Sequence, residues 1–181
     1  MPKKKISKIK KEIKQLSNSV TKFLDKAKVK YKVIEHKLVY TAHDAAQTTK
    51  KKLSEIAKVV LVRADKDFVL IVLPAGKYVD FSGIKKALKA KKVSMATEKD
   101  ITKYLKTKVG LLHPFGSEYP APVASLRYGA SNMQTLLDKG MLKAKKIIAS
   151  AGSYTHSIEI SIKDFERIVK PLKGTFAKAK K

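Results

Sequence analysis

The spacing of apolar residues divides the chain into segments of different period. Ile6, Ile9, Ile13 and Leu16 return every three or four positions in a segment otherwise dominated by lysine. That predicts a basic N-terminal helix over residues 1–18 with one narrow apolar stripe. Val20, Phe23, Leu24 and Ala27 repeat the pattern from about Ser19 to Lys28. YKVIEH (31–36) reads as a short strand. Thr41, with Asp44 three positions later, forms a capping-box signal for a helix reaching about Lys51.

The segment AKVVLVRADKDFVLIVLP (57–74) changes period. Two apolar, β-branched runs flank the turn-like ADKD, so the pattern predicts a hairpin buried on both faces. Asp80 and Ser82 offer caps for a helix to about Ala90, and Thr97 with Asp100 for one ending near Lys106. ASLRYG (124–129) reads as a strand, and SNMQTLLDKG (131–140) as a short helix stopped by Gly140. KKIIAS and HSIEISI flank the turn AGSYT, and a last helix runs from Ser161 or Ile162 to Val169, ended by Pro171. GTFAKAKK reads as a frayed basic tail.

Helices and strands interleave without a strict βαβ rhythm, and at least one hairpin is antiparallel. The expected class is therefore α+β, a mixed, partly antiparallel β-sheet with surrounding helices. At 181 residues the chain can bury a real core in one domain. The expected organisation is a basic extension (1–18), a domain (19–172) and a basic tail (173–181).

Composition sharpens this picture. Lys and Arg number 41 against 15 acids, a formal charge of +26, while 44% hydrophobic residues argue against wholesale disorder. A field of that size attracts phosphate backbones. The bland alternative is a solvated lysine surface, and the leader could dock on the body, lie along RNA or touch an anionic membrane. With no cysteine, disulfides, thiolate zinc sites and cysteine nucleophiles are excluded. No apolar run approaches the roughly 18 residues needed to cross a bilayer, and the N-terminus lacks a secretory apolar centre; the expected location is the cytoplasm.

Candidate chemistry narrows to three places. No phosphate-binding glycine loop, helical metal-ligand histidine pair or G-x-S-x-G elbow is present, so neither metal nor cofactor is expected. Asp65 and Asp67 fit local turn bonding. The first place is Lys58, which enters an apolar strand. Its ammonium either snorkels to water or faces a cleft. The second is His156, which shares a strand face with Ile158, Ile160 and Ile162. It is either a satisfied core histidine or lines a pocket beside Gly152 and Ser153. The third is the lysine-free stretch VGLLHPFGSEYPAP (109–122), where Gly110 allows close backbone approach and Pro114 stiffens the chain after it.

In order, HDAAQTT, IAKVVLV, Gly110-Leu111-Leu112-His113-Pro114 followed by FG, and AGSYTHSIEISIKDFERI resemble the YbaK family of aminoacyl-tRNA deacylases, which is similar to the editing domain of bacterial prolyl-tRNA synthetases. The resemblance covers roughly residues 20 to 170. It implies a barrel-like mixed sheet and a free-standing proofreading hydrolase that cleaves the ester of mischarged tRNA, such as tRNA for proline carrying Ala, Cys or Ser. By that resemblance Lys58, Gly110 and His156 are the catalytic positions. Leu111, Leu112, His113, Pro114, Gly152 and Ser153 would contact substrate. His113 matches no family role, and Val59 stands where some relatives carry Asn. The implied partners are the aminoacylated tRNA end and a synthetase, with no membrane and a monomeric protein. The competing expectation is the same fold as a non-catalytic RNA-binding or regulatory protein.

Overall fold

The computed structural model describes residues 19–119 and 133–179. The predicted leader helix (1–18) and the predicted strand at 124–129 lie outside them. Helix α1 covers 19–26 and buries Val20 and Leu24, as its period requires. Strand β1 is Tyr31–Glu35. Helix α2, Ala42–Thr49, opens on the expected capping box: the Asp44 amide donates to Thr41 Oγ1 (3.1 Å), and the Thr41 amide donates to Asp44 Oδ2 (3.0 Å).

The predicted hairpin forms from β2, Ala57–Ala64, and β3, Asp67–Pro74. Ala64 pairs with Asp67, leaving Asp65-Lys66 as a two-residue turn with Asp65 at φ 56°. All eight residues of β3 are buried. The Asp65 carboxylate accepts from the Lys91 and Lys92 amides, which tie the turn to that later segment. Strand β4 is Tyr78–Val79, and α3 is Phe81–Leu88, capped by Asp80 through the Ser82 amide. Strand β5 is Val93–Met95. Helix α4, Glu98–Asp100, starts on the expected Thr97 and Asp100 box and continues as a wider π-helical turn, Ile101–Leu105.

Two expectations fail. TLLD, read as helix, is strand β6, Thr135–Asp138. All four residues are buried and β6 lies between two parallel neighbours, so both of its faces are covered and a helix with one polar face has no place there. The tail is not frayed: β9 is Leu172–Gly174 and β10 is Ala177–Lys178. Phe176, 1% exposed, packs with Ile84 and Leu136, and the buried Asp138 carboxylate accepts from the Phe176 (2.7 Å) and Ala177 (2.9 Å) amides. Burying one phenylalanine contributes about 1.5–3 kcal/mol, enough to hold a short segment down.

Strand β7 is Lys146–Ser150, β8 is His156–Ser161, and α5 is Ile162–Val169, capped by Ser161. The main sheet runs β5-β2-β3-β6-β9, antiparallel on the β5 side and parallel beyond β3. A second sheet, β1-β8-β7, is antiparallel, and β10 pairs with β4. The mixed α+β architecture is as expected, although the sheets stay open rather than closing into a barrel. Ile147, Ile158 and Ile160 of the second sheet pack on Val20, Leu24, Phe115 and Phe165 to form the largest core. Among the described residues no helix is long and apolar enough to cross a membrane.

Candidate active site

The two larger sheets meet at a parallel bridge, Ile56 opposite Ile148, and then β2 and β7 diverge. Strand β5 pairs with β2 only from Val62 onward. The β2 edge from Ala57 to Val60 therefore has no described strand hydrogen-bonded to it. A cavity of about 260 Å³ fills the gap. Ala57, Lys58, Val59 and Val60 form one wall, and Ile148, Ser150, Ser153 and Ser157 another. Tyr40, Thr41 and Ala45, together with Val109, Gly110 and Leu112, complete the lining. The lining is thus small, apolar or hydroxylic, with one cation.

That cation is Lys58. Its Nζ donates to the Lys77 carbonyl in the turn after β3 and lies 5.6 Å from the centre of the Tyr78 ring. Partial burial lowers the pKa of the ammonium below the ordinary lysine value. Exposed Lys37, Lys77 and Lys108 are chain neighbours of three segments that border the site, so the approach to it is positively charged.

Gly110 adopts φ +86°, in the left-handed region. A Cβ there would lie 3.0 Å from the Tyr40 carbonyl oxygen and 3.3 Å from Tyr154 Cε1. The Tyr154 hydroxyl donates to the Val109 carbonyl (3.2 Å), and the Tyr40 and Tyr154 rings pack with centroids 5.1 Å apart. The glycine loop is thereby clamped against the 37–41 and 151–155 segments, three parts of the chain far apart in sequence.

The structure divides the expected site residues. Lys58, Gly110, Leu112 and Ser153 line one cavity. Gly152 supports its edge at φ +74°, donating its amide to Ser150 Oγ (3.1 Å). His156 does not line the cavity and reaches it only through Ser153: its Nδ1 lies 3.3 Å from Ser153 Oγ and 2.9 Å from Thr155 Oγ1. Leu111, His113 and Pro114 are buried away from the lining. His113 stacks on Tyr119 at 4.2 Å and 9°, and its amide donates to the Tyr119 hydroxyl (2.8 Å). Its Nδ1 is buried with no hydrogen-bond partner among the described residues. Burial pushes its pKa down to about 3.

Sequence reasoning missed Tyr40, Thr41, Ser150, Ser157 and His36, whose Nε2 lies 2.9 Å from Ser157 Oγ. Alternation along HSIEIS puts Ser157 and His156 on opposite faces of β8. The signal for Ser157 was present, but not the knowledge of which face fronts a cavity. Among the described residues no group of three or more His, Asp or Glu side chains could hold a metal.

An open mixed sheet thus carries a small cavity at its seam, with one cation in the wall and exposed lysines around the approach. Residues 36–168 match the aminoacyl-tRNA editing domain family, and the chain belongs to it. It is accordingly an aminoacyl-tRNA deacylase, and aminoacylated tRNA is its substrate class. It is 26% identical over 155 residues to the prolyl-tRNA editing protein ProX of Acetoanaerobium sticklandii, covering 84% of this chain and 90% of that one. Its fold is similar to the crystal structure of a hypothetical protein, APE2540 (TM-score 0.76, 17% identity, 88% of this chain and 99% of that chain). It is equally similar to a candidate trans-editing enzyme for prolyl-tRNA synthetase (TM-score 0.75, 16% identity, 91% and 98%).

Proposed function

We propose that the protein is a trans-editing enzyme that removes a small wrong amino acid, Ala, Cys or Ser, from tRNA for proline. The observation that carries the reading is the convergence of Lys58, the Gly110 loop and the 150–157 segment on one cavity. At about 260 Å³ it lies below the roughly 300–1,000 Å³ of pockets for drug-sized ligands, which suits an aminoacyl group whose ribose stays outside. The prolyl-tRNA editing relative supports the choice of tRNA. Val59 contributes apolar lining where some relatives carry Asn, which favours Ala over Ser.

An aminoacyl ester is already activated. Water attacks the carbonyl carbon, the C–O bond to the ribose breaks, and a proton passes to the departing ribose oxygen, giving free amino acid and tRNA. The pocket has to position that water and stabilise the oxyanion. In this reading the backbone of the Gly110 loop and the uncovered β2 edge orient the reactants. Lys58, held by the Lys77 carbonyl, meets the terminal phosphate or the developing charge. His156 acts through Ser153 by fixing that turn. Exclusion of larger acyl groups completes the selection, since one methylene in a binding site discriminates by only about 1–3 kcal/mol. We place the enzyme in the cytoplasm as a monomer that works free or beside a synthetase.

The test is release of amino acid from tRNA for proline charged with Ala, Cys or Ser. Lys58→Ala should slow release at least tenfold with little change in melting temperature. Salt-sensitive tRNA binding with no release, unaffected by Lys58→Ala, would refute the reading in favour of a binding module.

A further inference from the structure

Ser157 and His36 are polar side chains at the cavity to which the hydrolysis scheme gives no task. Ser157 lines the cavity and is 4% exposed. Its Oγ lies 2.9 Å from His36 Nε2, and His36 Nδ1 lies 2.9 Å from the Lys37 carbonyl oxygen. A carbonyl has no proton to give. In the neutral ring, Nδ1 therefore carries the hydrogen, Nε2 offers a lone pair, and the Ser157 hydroxyl donates to it. With its single proton committed to His36, Ser157 shows the cavity only oxygen lone pairs. Lys58, by contrast, can only donate.

The donors and acceptors of an aminoacyl ester divide in the same way. Its carbonyl and ester oxygens accept, while its α-ammonium carries three hydrogens and a positive charge. We infer that Ser157, oriented by His36, receives the α-ammonium of the aminoacyl group and makes the cavity selective for esters with a free amine. The inference rests on the deacylase reading and adds a consequence: tRNA esters with a blocked nitrogen, such as peptidyl or N-acylated forms, are spared.

The same hydroxyl and ring could instead be a nucleophile and its base. That role would place a full positive charge on His36 during reaction. The group orienting the ring is a neutral carbonyl, and among the described residues no carboxylate bonds to it. The acceptor role requires no such charge.

The experiment compares release of alanine and of N-acetylalanine from the same tRNA for proline, using wild type, Ser157→Ala, Ser157→Asp and His36→Phe. Wild type should prefer the free amine about 10- to 100-fold, the worth of a hydrogen bond to a charged group. Ser157→Ala should lose that factor on the free amine only, and Ser157→Asp, again a pure acceptor, should restore it. His36→Phe frees the serine proton and should narrow the preference with Ser157 still in place. Equal losses on both substrates, or an acyl group trapped on Ser157, overturn the inference. NMR titration with a non-hydrolysable alanylamido-adenosine and its N-acetyl form reads the preference without hydrolysis. Ser157-dependent binding of the free amine without deacylation keeps the inference and removes the deacylase reading. Deacylation of both esters alike does the reverse.

Discussion

The stretch from Val109 to Gly116 contains two regions with opposite environments. Val109, 51% exposed, and Gly110 border the cavity and face solvent, while Leu111 to Gly116 are buried, with Phe115 at 0%. Only Leu112 belongs to both, lining the cavity and packing with Leu61 and Leu70. The absence of lysine across this stretch therefore has two causes. At Val109 and Gly110 a long cation would crowd the mouth of a pocket. From Leu111 onward it would be buried without a partner, which costs far more. One compositional feature thus combines a constraint at the mouth of the cavity with a constraint of the core.

Substitutions along the stretch should separate the two. The largest effect is expected from Phe115→Ala, which empties a site packed against Phe23 and Phe165; it should cost about 3–5 kcal/mol in urea unfolding while the remaining folded protein deacylates normally. Retained stability would mean that the inner half is not core.

Next comes His113, whose effect depends on pH. Above pH 6.5 folded and unfolded states are both neutral, so the ring contributes no pH dependence. As pH falls from 6.5 toward 3, the unfolded chain takes up a proton that the folded protein refuses, and stability declines. The loss should reach about 2 kcal/mol at pH 5 and should vanish in His113→Phe, read as the difference in unfolding free energy between pH 7.5 and 5. Identical pH profiles for the two proteins would contradict the buried, neutral ring.

Gly110→Ala tests the outer half. Its Cβ would press on the Tyr40 carbonyl and Tyr154, so release of amino acid should slow about tenfold, or 1.4 kcal/mol, with a smaller change in melting temperature. A variant that loses stability but keeps its rate would assign Gly110 to folding alone. The smallest effect concerns the surface: deleting residues 1–18 should weaken tRNA binding and flatten its salt dependence while leaving the rate at saturating tRNA nearly intact. Unchanged binding across several salt concentrations would remove the leader from the interface.

Much of the architecture was legible in the chain because its signals are local. The Thr41 and Thr97 capping boxes, the two-residue turn at Asp65-Lys66 and the apolar strands around it each depend on neighbours within a few residues. TLLD was misread because a short apolar run has the same composition in a buried helix and a central strand. Its partners, β3 and β9, lie some 60 residues before it and some 35 after it in sequence. The tail was misread because the buried carboxylate that captures it, Asp138, lies 38 residues from Phe176.

By itself the sequence determined the α+β composition, the polyanion-attracting charge and the positions of Lys58 and Gly110. It could not determine that β2 and β7 part beyond Ile56 and Ile148, or that the Ser157 face of β8, rather than the His156 face, fronts the gap. Alternation names two faces of a strand without saying which one meets water, core or substrate. Only the packing of distant segments, which gains most by burying Ile158 and Ile160 on Phe115 and Phe165, makes that choice.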